Sequence, residues 1–309
     1  MEPLNLTQKV QSPSQKIEFD LFGKEVEVYI KREDLLHEYV SGNKLRKLKY
    51  NLLKAQEDNH NTILTFGGAF SNHISAVSAA CKILELNSIG VIRGEELSDK
   101  IHQNPTLSFA YQNGMKFDFI SRENYRKKTS EEFIVKLKQK WGDFYLVPEG
   151  GTNELAVKGC EEILTEQDNI FDYICCPVGT GGTISGIINS SKSNQTVLGF
   201  PALKADCLEN EIQKFTENNN WKLIKEYHFG GYAKINQTLI SFINEFKKQT
   251  NIPLDPVYTA KMCYGITDLI QNKYFEKDTK ILLIHTGGLQ GIEGMNQKLK
   301  QQNLPKINV

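Results

Sequence analysis

In the stretch VSGNKLRKLKY (residues 40–50), Lys44 comes straight after a Ser-Gly-Asn turn, in the first turn of a basic helix. A helix dipole disfavours an ammonium at that end and lowers its pKa. A lysine held near neutrality in a cleft is a candidate for Schiff-base chemistry. Position carries this reading, not periodicity. The apolar stripe Leu45, Leu48, Leu52, Ala55 has Lys44 at one edge and Lys49 equally near the other, and a solvated surface lysine fits the same pattern.

A second stretch, PVGTGGTISGII, ends a strand at Val178, runs through Gly179, Thr180, Gly181 and Gly182, and starts a helix near Thr183. Bare backbone N–H groups at a helix start, with two threonine hydroxyls, make a cradle for a phosphate. The spacing is neither G-x-G-x-x-G, because Ile184 stands where the third glycine belongs, nor a P-loop, because no G-K-[ST] follows. A turn used only for tight strand-helix packing is the alternative.

Two further strand ends carry polar groups. TFGGAFSNHISA opens through glycines into a helix with Ser71, Asn72 and His73 in its first turn, where a serine or asparagine also serves as a cap. It lacks the G-x-S-x-G of an esterase elbow. In DPVYTAKMCYGITDLI, Tyr258 and Thr259 follow a strand or extended entry, and in LLIHTGGLQGIEG, Thr286, Gly287 and Gly288 follow a strong strand. A lysine, a phosphate cradle and polar groups near strand ends together point to one cofactor, pyridoxal phosphate, bound to Lys44 with Thr286 among its neighbours.

Positioning these groups takes an α/β frame. Strands are expected at 62–66, 88–93, 116–120, 144–148, 172–178, 196–200 and 280–286, with helix-length segments between most of them. That alternation predicts mostly parallel sheets covered by helices, whose ligands sit beyond the strands' carboxyl ends. At 309 residues the chain can bury a full core. Lys plus Arg and Asp plus Glu both number 37, so no net field favours nucleic acid or an anionic membrane. No apolar run approaches the roughly 18 residues of a membrane span, and MEPLNLTQKV lacks signal-peptide regions. A cytoplasmic protein is expected. The six cysteines form no C-x-x-C pair and read as buried small hydrophobes, with no metal site.

The stretches KREDLLHEYVSGNKLRKLKY, TFGGAFSNHISA, CPVGTGGTISG, PVYTAK and IHTGGLQG, in this order and spacing, resemble the D-cysteine desulfhydrase and 1-aminocyclopropane-1-carboxylate (ACC) deaminase family of pyridoxal-phosphate enzymes. The resemblance runs from about residue 15 to 300 and implies the two-domain fold of the tryptophan synthase β-subunit type. It implies a larger domain of residues 1–46 and 155–309 and a smaller one of 47–154. By the same resemblance Lys44 carries the cofactor, Gly179, Thr180, Gly181, Gly182 and Thr183 hold its phosphate, and Asn72 faces its 3-hydroxyl. Ser71 contacts the substrate and can move protons. Two tyrosines line the substrate pocket: Tyr258, and Tyr232 in GGYAKIN, where only the glycine, tyrosine and asparagine of the family motif remain.

One position separates the two named activities. The deaminase branch has P-V-Y-E, a carboxylate by the pyridine nitrogen, whereas Thr259 follows Tyr258 here, as in the desulfhydrase branch. A carboxylate keeps that nitrogen protonated and the ring a strong electron sink, which opening a cyclopropane requires; a hydroxyl suffices when a thiolate departs. The expected reaction is therefore α,β-elimination on a small amino acid, D-cysteine first. D-serine, β-chloroalanine, L-cysteate and ACC are alternatives. A binding protein that merely kept the phosphate loop is disfavoured by Lys44 together with Ser71 and Asn72. Met262, Cys263 and Tyr264 are expected on the pocket side, and the resemblance implies a homodimer.

Overall fold

A computed structural model describes residues 1–204 and 207–308. Ten strands occur among them. β1 (Ser14–Lys16) and β2 (Glu27–Lys31) open the chain. β3 (Thr62–Gly67), β4 (Asn87–Arg93), β5 (Lys116–Ile120) and β6 (Tyr145–Val147) follow. β7 (Tyr173–Val178), β8 (Thr196–Pro201), β9 (Trp221–Leu223) and β10 (Lys280–Ile284) complete the set. They form a six-stranded sheet, β1-β2-β10-β7-β8-β9, and a four-stranded sheet, β5-β4-β3-β6. Every pairing is parallel except that of β1 with β2 at the edge.

The seven expected strands are present to within two residues at their ends. β1, β2 and β9 were not expected: two are only three residues long, and β2 carries a charge at both ends, EVYIK, so neither makes an apolar run. The segment before Tyr258 is irregular instead of a strand, because Pro253 and Pro256 bracket it and cannot donate to a ladder.

Successive residues of a strand point to opposite faces, so a strand covered on both sides is apolar throughout. In β10, Ile281 and Leu283 enter one core with the helices Gln237–Thr250 and Thr259–Gln271, while Leu282 and Ile284 enter another with the helix Gly182–Ser190. In β3, Ile63 faces one core and Leu64 and Phe66 the other. Five cysteines are buried in this packing, as expected, but Cys207 is exposed at the edge of a short helix. No helix among the described residues is long and apolar enough to cross a membrane.

The helix Asn43–Glu57 is anchored from both sides. Leu45, Leu48, Leu52 and Ala55 are buried as the sequence predicts. On its other flank, the Arg46 guanidinium forks onto the Glu33 carboxylate with two 2.9 Å hydrogen bonds, and both groups are buried. Such a pair contributes little net stability, yet removing one partner costs about 3–5 kcal/mol, which ties the helix to its place.

Candidate active site

Gly42 sets where Lys44 stands. Its φ is +62°, and a Cβ on it would lie 2.1 Å from the Thr286 carbonyl oxygen, so only glycine lets the turn press against the exit of β10. The Asn43 backbone N–H donates to that same carbonyl at 3.3 Å. Lys44 Nζ then donates to Asn43 Oδ1 at 2.9 Å, while Asn43 Nδ2 donates to Thr183 Oγ1 at 2.8 Å. Asn43 thereby links the amine to the start of the glycine-loop helix. Dry surroundings, and after them the charge of Lys47, pull the Lys44 pKa down to about 7. At neutral pH a large share of this amine is unprotonated and nucleophilic.

The glycine loop after β7 turns through Gly181 into the helix Gly182–Ser190, as the sequence predicts. Beside it stands a cation that sequence reasoning missed. Lys47 is buried, and its Nζ donates to the Gly150 carbonyl and to Thr152 Oγ1, both at 2.9 Å, and reaches Thr180 Oγ1 at 3.4 Å. Among the described residues it has no acidic partner, and burial lowers its pKa. A Cβ on Gly182 would lie 3.3 Å from Lys47 Nζ and 3.0 Å from Thr152, so a side chain there would crowd the cradle. A buried cation with only neutral acceptors beside helix N–H groups is a place made for an anion. The spacing Lys44–Lys47, three residues apart on one helical face, was the available signal.

The remaining predicted residues divide by the cleft they surround, about 530 Å³ counting its open mouth. Lys44, Asn72, Gly179, Thr180, Gly181, Thr183, Tyr258 and Thr286 line it. Ser71, Gly182, Tyr232 and Thr259 do not. Ser71 caps the helix Asn72–Ile83, its Oγ accepting the Ile74 N–H at 3.3 Å, which leaves the hydroxyl hydrogen free to donate. Behind it, His73 is buried, its Nε2 bonded to Thr65 Oγ1, and desolvation with the two lysine charges keeps it neutral. Tyr232 is 47% exposed, its ring centroid 6.2 Å from that of Tyr258 in an edge-to-face arrangement.

Thr259 begins the helix Thr259–Gln271. Asp255 accepts the backbone N–H groups of Val257, Tyr258 and Thr259 and so fixes that helix start. The Thr259 hydroxyl is fully buried and has no partner among the described residues. Met262 and Cys263 are fully buried in the core below, and Tyr264 packs edge-on against Phe229 and Phe242. None of the three faces the cleft, contrary to expectation, because the helix turns them toward the sheet.

These residues fit pyridoxal phosphate on grounds of their own. The orphaned hydroxyl of Thr259, the residue after the cleft-lining Tyr258, suits a ring acceptor; the Lys47 cradle suits a phosphate; the near-neutral Lys44 amine suits an aldehyde. Comparison with known proteins agrees. A family described as pyridoxal-phosphate dependent enzyme matches residues 8–287. A Pyrococcus horikoshii protein provisionally named a 1-aminocyclopropane-1-carboxylate deaminase is 33% identical over 296 residues, 88% of either chain. The Arabidopsis thaliana mitochondrial bifunctional D-cysteine desulfhydrase/1-aminocyclopropane-1-carboxylate deaminase is 30% identical, over 86% of this chain and 73% of its own. A crystal structure described as an ACC deaminase homologue superposes with a TM-score of 0.80 at 28% identity, over 97% of this chain and 95% of its own. With the fold, the anion cradle and the placed lysine all agreeing with that match, the chain belongs to the pyridoxal-phosphate dependent enzymes, as a member with the fold of the tryptophan synthase β-subunit type.

Proposed function

We propose that the protein is a lyase that eliminates the β-substituent of a small amino acid, D-cysteine plus water giving pyruvate, ammonia and hydrogen sulfide. Pyridoxal phosphate, when bound, supplies the electron sink for the pair left on the substrate's α-carbon. The chain's own groups do the rest. Lys44, with its pKa near 7, would hold the cofactor through its amine, and its free amine would take the substrate's α-proton. The glycine loop, Thr183 and Lys47 would hold the phosphate, and Asn72 and Thr286, which both line the cleft, would flank the cofactor. The Ser71 hydroxyl hydrogen, together with N–H groups at its helix start, receives the substrate carboxylate. Tyr258 and Tyr232 bound the side where sulfide leaves.

The observation that supports the choice of reaction is that the Thr259 hydroxyl is buried and has no partner among the described residues, at the position where the family resemblance sets the group facing the ring nitrogen. A hydroxyl donates to a neutral ring nitrogen and leaves a sink adequate for expelling thiolate. ACC deamination, ACC plus water giving 2-oxobutanoate and ammonia, is the second reading, and the names of the relatives support it equally. Incubating the protein and added cofactor with D-cysteine and with ACC separately, then identifying the 2-oxo acid by mass spectrometry, tests the choice. Pyruvate from D-cysteine supports the first reading; 2-oxobutanoate from ACC alone replaces it by the second. We also take the chain as two domains, 1–46 with 155–309 and 47–154, a division supported by the membership of the two sheets. A homodimer rests on the family resemblance, and a light-scattering mass would test it.

A further inference from the structure

Lys261 lies one helical turn beyond Tyr258, in the helix Thr259–Gln271, and is 1% exposed. Its ammonium donates to three backbone carbonyls: Gly231 at 2.8 Å, His228 at 2.9 Å and Ala202 at 3.1 Å. Among the described residues it forms no ion pair. A buried cation so satisfied spends all three of its donors on holding chain segments together. The Ala202 carbonyl belongs to the exit of β8, and the Ala202 N–H donates to Val178 at the exit of β7. The other two carbonyls belong to the loop that carries Tyr232.

That loop has local hydrogen bonds, from the Gly231 N–H to the His228 carbonyl, the Lys234 N–H to the Gly231 carbonyl and the Gly230 N–H to His228 Nδ1, but its backbone is strained. Phe229 and Ala233, neither a glycine, have φ of +53°, and Gly230 and Gly231 between them are at +88° and +121°. Left-handed backbone at non-glycine residues persists only where the surroundings impose it. Tyr232 is half in solvent and its side chain pairs with that of Tyr258, so the place of its ring depends on its backbone and on that one neighbour. We propose that Lys261 is a positioning residue for substrate recognition: its ammonium ties the Tyr232 loop to the helix that begins beside Tyr258, fixing the two rings against each other at the mouth of the cleft. The consequence for substrate rests on the proposed function, in which both tyrosines bound the leaving-group side.

The test compares Lys261→Met, Tyr232→Ala and the double variant with the wild-type holoenzyme. Lys261→Met is expected to raise KM for D-cysteine by about tenfold to a hundredfold, the scale of a displaced recognition group, with a smaller change in kcat and an unchanged absorbance of the bound cofactor. In the Tyr232→Ala background the same substitution is expected to change KM by less than about twofold, since coupled residues are not additive. Full additivity, or an altered cofactor absorbance, would overturn the proposal. Hydrogen exchange on the wild-type chain decides the matter where Lys261→Met does not fold or where no substrate is turned over. The amides of residues 229–233 are expected to open together with the helix Thr259–Gln271, and exchange at the rate of a free loop would overturn the clamp. Absence of turnover of both D-cysteine and ACC by the wild type, with the loop protected, would remove the proposed reaction and leave the clamp standing.

Discussion

Asp255 accepts the backbone N–H of Thr259 at 2.6 Å, while the hydroxyl of that same threonine, fully buried, bonds to nothing. The carboxylate spends itself on three amides at a helix start. In the proposed site the hydroxyl is the group that would meet the cofactor.

An unbonded buried hydroxyl destabilises the chain that carries it by about 1–3 kcal/mol. Thr259→Ala should therefore leave the cofactor-free protein as stable or more stable, while weakening cofactor binding. Thermal unfolding of the stripped protein and a cofactor titration measure the two effects. A loss of apoprotein stability with undiminished affinity would place the hydroxyl elsewhere than against the ring.

Lys47 offers a charge to an anion in a dry cradle, and a hydrogen bond to a charged group is worth about 1.5–3 kcal/mol. Lys47→Met should weaken the binding of pyridoxal phosphate by about tenfold to a hundredfold, while binding of pyridoxal, which lacks the phosphate, changes little. Equal losses for both would mean that Lys47 only supports the fold.

The pH dependence of the apoprotein follows from Lys44. Its pKa is about 7 in the folded chain against a lysine's ordinary 10.5, so between those values the unfolded chain binds more protons and stability rises with pH. Below about 7 both states are protonated and the burial penalty is complete. Lys44→Met removes the penalty, so that variant should exceed the wild type in stability at pH 6, with the gap closing toward pH 10. Urea unfolding of both apoproteins across that range measures it, and a gap that widened with pH would contradict the assignment.

Ser71 caps a helix, and losing a cap costs about 0.5–2 kcal/mol. Ser71→Ala should lower both stability and turnover. Ser71→Asn keeps a cap acceptor but loses the hydroxyl, so stability should return while turnover stays low. Recovery of turnover with stability would reduce Ser71 to its capping role.

Much of this site was legible because its residues sit where local rules speak. Lys44 follows a glycine turn into a helix, and the glycine loop follows an apolar strand. Lys47 was legible only as a neighbour of Lys44 on one helical face: its acceptors come from Gly150, Thr152 and Thr180, more than a hundred residues away, so nothing local told it from another lysine of a basic helix. Asp255 lay hidden between two prolines that read only as an extended entry. Met262, Cys263 and Tyr264 misled because their helix begins at the site and then turns its next residues into the core. The Tyr232 loop is shaped by a buried ammonium on a distant helix, which no local pattern announces.

The most direct measurement is kcat/KM for D-cysteine and for ACC on one preparation of the cofactor-loaded protein, following sulfide and the 2-oxo acid together. The predicted result is sulfide and pyruvate in equal amounts from D-cysteine, with kcat/KM at least about tenfold above that for ACC, a difference of roughly 1.4 kcal/mol in transition-state stabilisation. Turnover of ACC to 2-oxobutanoate with no sulfide from D-cysteine would contradict it.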